Sequence, residues 1–151
     1  MTLRQINVNP EGGVPKYAVS EARLETEGVA GDKQRNRKYH GGPMRAVCLY
    51  SWELIQSLQA EGHPIDAGTI GENLTLQGVD WQQLAPGTRL RIGEAELEIT
   101  SYVVPCRNIR ASFLNDNFMR IAREKNPGWG RYYARVVHEG LVRAGDEVKV
   151  F

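Results

Sequence analysis

The sequence has no long apolar run: nothing approaches the roughly 18 residues that a membrane-spanning helix needs. Its opening stretch, Met1 to Pro10, lacks the apolar centre of a secretory signal. Cysteine is scarce, with Cys48 and Cys106 alone, and no C-x-x-C or H-x-x-x-H pair is present. Zinc held by protein ligands and an iron–sulfur cluster both need more ligands than this. No G-x-G-x-x-G follows a strand, so the chain carries no nicotinamide or flavin fingerprint. Net charge is +1, too little for bulk nucleic-acid binding, although a local basic patch fits within it. Without an export signal, the expected location is the reducing cytoplasm, where the two thiols stay free.

What the chain does contain is turns. Sixteen glycines and seven prolines in 151 residues favour short connections between strands. Hydrophobic content of 41% and charged content of 25% suit one domain over residues 1–151 with a proper core. Leu3 to Val8 and Tyr17 to Leu24 read as strands, the second losing its alternation near Glu21. Ala46 to Tyr50 is a short buried strand, with Cys48 a small core residue. Ser51 caps a helix whose apolar stripe is Leu54, Ile55 and Leu58 and which stops before Gly62. A strand runs from Asn73 to Leu76. Arg89 to Ile92 and Leu97 onward form a hairpin across Gly93-Glu94. Asn115 to Lys125 is a second predicted helix, capped by Asp116, with Phe118, Ile121 and Ala122 inward. Tyr132 to His138 and two short closing strands complete the chain. Many short strands with two or three short peripheral helices predict a mainly β fold, a closed or half-closed barrel with its loops gathered at one mouth.

Two stretches carry chemistry. In L-E-I-T-S-Y-V-V-P-C, Leu97 to Cys106, Pro105 ends the pairing of a strand and leaves Cys106 just beyond it. Arg107 and Arg110 follow, and guanidiniums beside a thiol favour the thiolate over its ordinary value of about 8.5. Such a thiolate is a nucleophile, a sulfur carrier or a soft-metal ligand. The other stretch, Gly28 to Arg45, holds Lys33, Arg35, Arg37, Lys38 and Arg45 against a single acid, Asp32. Its basic residues and the amides of the Gly41-Gly42 turn suit a phosphate or another anion, or form a solvated surface loop. Asp32 is expected to brace this loop by ion pairs.

Gly31-Asp32, His40-Gly41-Gly42 with Arg45, Gly71-Glu72-Asn73-Leu74, L-E-I-T ending at Pro105-Cys106, Tyr133-Ala134-Arg135-Val136-Val137 and V-R-A-G-D follow one another in this order. Together they closely resemble the MOSC domain, named for the C-terminal domain of molybdenum cofactor sulfurases, in a stand-alone bacterial form. The resemblance implies a β-barrel-like fold that handles the pyranopterin molybdenum cofactor, with Cys106 in the place of the cysteine that ligates molybdenum or carries sulfur. The pterin dithiolene already supplies soft donors, so one protein thiolate is enough. The remaining site residues follow from the same resemblance. Lys33, Arg45 and the Gly41-Gly42 amides would take the cofactor phosphate. His40 would orient that turn or donate to the cofactor. Asn73 would bond the pterin edge or satisfy its own backbone. Arg107 would partner the thiolate or stay solvated.

Three functions are open at this level. An oxidoreductase would reduce N–O bonds of a small N-hydroxylated substrate with electrons from a donor protein. A sulfur carrier would hold a Cys106 persulfide taken from a sulfur-donor protein, any pyridoxal phosphate belonging to that partner. A non-catalytic barrel would bind an anion or another protein.

Overall fold

The short alternating runs become eleven strands in the computed structural model, which describes residues 1–33 and 41–151. These are β1 (Thr2–Val8), β2 (Tyr17–Val19), β3 (Glu21–Glu25), β4 (Gly28–Val29), β5 (Val47–Ser51), β6 (Leu74–Gln77), β7 (Arg89–Ile92), β8 (Ala95–Tyr102), β9 (Tyr132–His138), β10 (Gly140–Arg143) and β11 (Val148–Val150). Eight of them form one mixed sheet in the order β11-β7-β8-β9-β5-β6-β1-β2, and β10-β3-β4 form a small second sheet. At Ser20 and at Glu139 the chain steps from one sheet to the other. The alternation that fails near Glu21 marks the first of these steps, so the run from Tyr17 to Leu24 is two strands. Buried residues from both sheets, among them Leu24, Leu97, Ile99 and Val142, share one core.

The large sheet does not close into a continuous ladder. The start of β1, beyond the stretch that β2 covers, meets the segment leading into β11 at one isolated bridge, Thr2 to Glu147. The Leu3 amide donates to Asp146 O at 2.8 Å and the Val148 amide to Met1 O at 2.9 Å. Of the expected closed or half-closed barrel, the mainly β character is present as a large mixed sheet whose edges touch over a few residues, without a closed barrel among the described residues. A register shift between Leu3 and Gln5 explains why Leu3 and Ile6, of opposite parity, are both wholly buried.

One α-helix, α1 (Trp52–Ala60), lies within the described residues. The Ser51 hydroxyl accepts from the Leu54 amide at 3.2 Å, and Ile55 and Leu58 are buried, as the stripe predicts. The helix connects β5 to its parallel neighbour β6. The second predicted helix does not form. Asn115 and Asp116 hold positive φ values of 56° and 57°, and residues 107–121 fold as three 3₁₀ turns. Phe118 and Ile121 are three apart, a spacing that a 3₁₀ turn buries as well as an α-helix. Arg120 fastens this segment by stacking on Trp129 at 4.0 Å and pairing with Glu61 at 2.7 Å.

A chain of aromatic rings stiffens the sheet behind the site. Tyr50, Trp81, Tyr132 and Tyr102 follow one another with centroids 6.0, 5.4 and 5.1 Å apart. Three of the polar ends are satisfied: Tyr50 donates to Trp129 O at 2.8 Å, Trp81 to Gly130 O at 2.8 Å and Tyr132 to Leu84 O at 2.8 Å. The first two bonds fix the backbone at Trp129 and Gly130, immediately before Arg131.

Candidate functional site

β8 ends as its sequence predicts. Its last backbone bond is from the Val103 amide to Arg131 O at 3.0 Å, and Pro105 then breaks the pairing. Cys106 follows, half-buried, and its carbonyl opens a 3₁₀ turn by accepting from Ile109 at 3.2 Å. The thiol borders a cleft of about 520 Å³ that is also lined by Lys16, Lys33, Cys48, Asn73, Arg110, Arg131 and Tyr133. That volume lies within the roughly 300–1,000 Å³ of small-molecule sites. Neither cysteine is in a disulfide.

The floor of the cleft is a polar network built on the start of the parallel pair. The Asn73 amide donates to Cys48 O at 2.8 Å, and Asn73 Oδ1 accepts from the Cys48 amide at 3.0 Å. Asn73 Nδ2 donates to Asp32 Oδ2 at 2.9 Å and to Asn7 O at 3.3 Å. Both amide hydrogens are thus committed within the protein, so Asn73 braces the site, and its pterin-edge role has no free donor. Asp32 also accepts from the Asn9 amide at 2.8 Å and from Lys16 Nζ at 2.7 Å, a pair in which both side chains are less than 10% exposed. The bracing expected of Asp32 is present, with the partner lysine supplied by the β1–β2 loop. Gly68 completes the frame: its carbonyl accepts from the Lys16 amide at 2.8 Å, and a Cβ there would strike Lys16 O.

Cations gather here in unequal states. Lys16 is neutralised by Asp32. Arg131 is 6% exposed, donates through Nη1 to Ile70 O at 2.8 Å, and has a buried Nε with no partner. No carboxylate pairs with it among the described residues. A buried guanidinium without a counterion is costly, and a bound anion would relieve that cost. Burial pushes the Cys48 thiol up to about 11, partly offset by Arg131, and so keeps it protonated. Burial likewise raises Tyr133, leaving its hydroxyl a donor.

Of the residues predicted from sequence, Cys106, Lys33 and Asn73 meet in this cleft. Arg45 lies beside it, its guanidinium 5.7 Å from the Tyr133 ring centroid. Gly41, Gly42 and Arg107 are absent from the lining; the Arg107 carbonyl accepts from Arg110 Nη1 at 2.9 Å, and Arg110 is the one facing the cleft. His40, with Arg35, Arg37 and Lys38 of the basic loop, lies outside the described residues. Sequence reasoning missed Lys16, hidden in a turn cluster, and Arg131, a lone charge at the head of an aromatic strand. It read Cys48 as core alone; the side chain is buried against Val103 and Tyr133 and also borders the cleft. Among the described residues no cluster of three or more His, Cys, Asp or Glu could hold a metal.

Comparison with known proteins bears on the family and the fold. The MOSC domain profile matches residues 36–149. The uncharacterized protein YflK of Bacillus subtilis is 29% identical over 157 residues, covering 99% of this chain and 67% of that one. Protein YiiM of Escherichia coli is 29% identical over 134 residues, covering 83% of this chain and 60% of that one. The chain thus spans about two thirds of the length of these curated relatives. The crystal structure of Escherichia coli YiiM superposes with a TM-score of 0.75 at 23% identity, covering all of this chain and 70% of that one. A mainly β fold of the same form, and a profile that matches most of the sequence, lead to one conclusion: the chain belongs to the MOSC domain family.

Proposed function

We propose that the cleft takes up the pyranopterin molybdenum cofactor, with Cys106 as the metal's one protein ligand, and that the protein reduces N-hydroxylated compounds with electrons from a donor protein. The observation that carries this reading is the meeting, in one cleft, of a half-buried thiol and a buried guanidinium that lacks a counterion. The cofactor needs both a soft ligand and an anchor for its phosphate. The residues present fit these two needs. Arg131 and Lys33 would hold the anionic end. Asn73 and Asp32 keep the Cys48 strand and Lys16 in place beneath it. When bound, the cofactor supplies two-electron chemistry at molybdenum. Reduction of an N-hydroxyl to N–H takes two electrons and two protons and releases one water. The electrons come from the donor protein, since the chain carries no flavin or iron–sulfur fingerprint of its own.

Metal and pterin analysis of gently purified protein from molybdenum-replete cells tests the reading. Wild type should hold near-stoichiometric molybdenum. Cys106→Ser should lose it while melting at the same temperature as wild type freed of cofactor, because the side chain is only half-buried. Molybdenum retained by the variant removes the ligand role. The same thiol also suits sulfur carriage, and a persulfide found on Cys106 in place of bound metal assigns that role instead.

A further inference from the structure

Glu72 lies under the cleft, flanked in sequence by two of its lining residues, Gly71 and Asn73. It is wholly buried. Its Oε2 accepts from the Gly68 amide at 3.0 Å and from the Thr75 hydroxyl at 2.9 Å. Its Oε1 is buried and takes no hydrogen bond from another residue; the remaining donor at the carboxyl is Glu72's own backbone amide. The nearby buried cation is in the same condition: Arg131 Nε has no partner, and the two side chains feel each other's charge without forming an ion pair. A carboxyl and a guanidinium, both more than nine-tenths buried and each with an idle polar atom, are an incomplete pair rather than a structural one.

Adding an anion to this arrangement has a definite electrostatic result. Arg131 is the positive charge that favours Glu72 in its ionised form. An oxyanion on Arg131 cancels that field and brings its own negative charge, so burial then drives the carboxyl to its neutral form. We propose that the cleft binds an oxyanion and a proton together, the anion on Arg131 and the proton on Glu72. This rests on reading the cleft as an anion site; it does not depend on molybdenum.

The other groups facing Glu72 leave it as the titrating member. Gly68 and Thr75 contribute only neutral donors. On β5, Cys48 and Tyr50 are both pushed up by burial, Cys48 to about 11 and Tyr50 further, and stay protonated. Lys16 and Asp32, which also act on Cys48, neutralise each other. Burial raises Glu72 itself from 4.5 to about 7, which puts its charge change near neutrality.

Titration calorimetry with sulfate, an anion that does not itself titrate in this range, tests the coupling on the full chain freed of cofactor. Runs at pH 8 in two buffers of different ionisation enthalpy count the protons exchanged. Close to one proton should be taken up per sulfate bound. The dissociation constant should rise up to about tenfold per pH unit above pH 7 and level off below pH 6. Glu72→Gln should bind sulfate with no proton uptake and no pH dependence, and Arg131→Met should lose binding. The wild-type proton count and pH dependence need no variant to fold. Sulfate bound without proton uptake overturns the coupling and leaves the molybdenum reading untouched. No sulfate binding by wild type overturns the anion site and the coupling together, whereas the molybdenum content of Cys106→Ser judges the ligand role by itself.

Discussion

At the scale of single residues, the site is shaped by unequal burial. Two thiols border one cleft, yet Cys48 is held protonated in the core while Cys106 sits at the end of a broken ladder. Glu72 shows the same effect in a carboxyl. Its folded value, about 7, lies above the ordinary 4.5, so the folded chain holds this proton more tightly than the unfolded chain does. That stabilisation is complete below pH 4.5 and is lost as pH rises through 7. By then the ionised group weighs against the fold by roughly 3 kcal/mol. Glu72→Gln cannot ionise, so the drop in melting temperature between pH 5 and pH 8 should be smaller in the variant than in wild type. An equal drop in both would show that Glu72 is not the group responsible. At this scale the motifs pointed to two residues that line the cleft, Cys106 and Asn73. The sequence was silent on Lys16 and Arg131, because what matters in them is the absence or presence of a buried counterion. Separation in the chain hides that: Lys16 meets Asp32, and among the described residues no carboxylate pairs with Arg131.

At the scale of elements, local signals succeeded where one local cause dominates. Ser51 caps α1 through its hydroxyl, and the stripe on that helix is the one its spacing predicts. Ser51→Ala should cost about 1 kcal/mol. For a domain of this size that lowers the melting temperature by roughly 2–4 °C, with the loss of hydrogen-exchange protection strongest in the first turn of α1. A neutral result would mean that β5 and β6 alone hold the helix in place. The hairpin over Gly93-Glu94 was equally legible, since a two-residue turn fixes its register. The segment after Cys106 was not. Its apolar spacing suits two kinds of helix, and the choice is made by tertiary anchors, Arg120 on Trp129 and on Glu61, that no local pattern contains.

At the scale of the whole molecule, a mainly β fold could be read from turns and alternation, but the strand order could not. The parallel neighbours β5 and β6 are brought together by α1, and β9 is inserted between β8 and β5. Those adjacencies are long-range pairings, and a sequence pattern sets which face of a strand is buried without naming its neighbour. Leu3 is the test of the sheet's meeting edges. It pairs with Leu76 of β6 on one side, and its backbone bonds Gly145 and Asp146 on the other. Leu3→Ala should destabilise by about 2–5 kcal/mol. Urea unfolding would measure this, and hydrogen exchange should speed up in β6 and in residues 145–148 together. Exchange that changed in β6 alone would separate the two edges. The contact at Thr2 and Glu147 also bears on how the chain folds. It joins residues near opposite ends of the sequence, so closing it carries the largest loop entropy in the sheet. The hairpin of β7 and β8 needs no such closure. The seam between β1 and β11 is therefore the contact that topology makes slowest. While it is open, those strands expose idle backbone donors and acceptors to neighbouring chains, and aggregation during refolding should begin there.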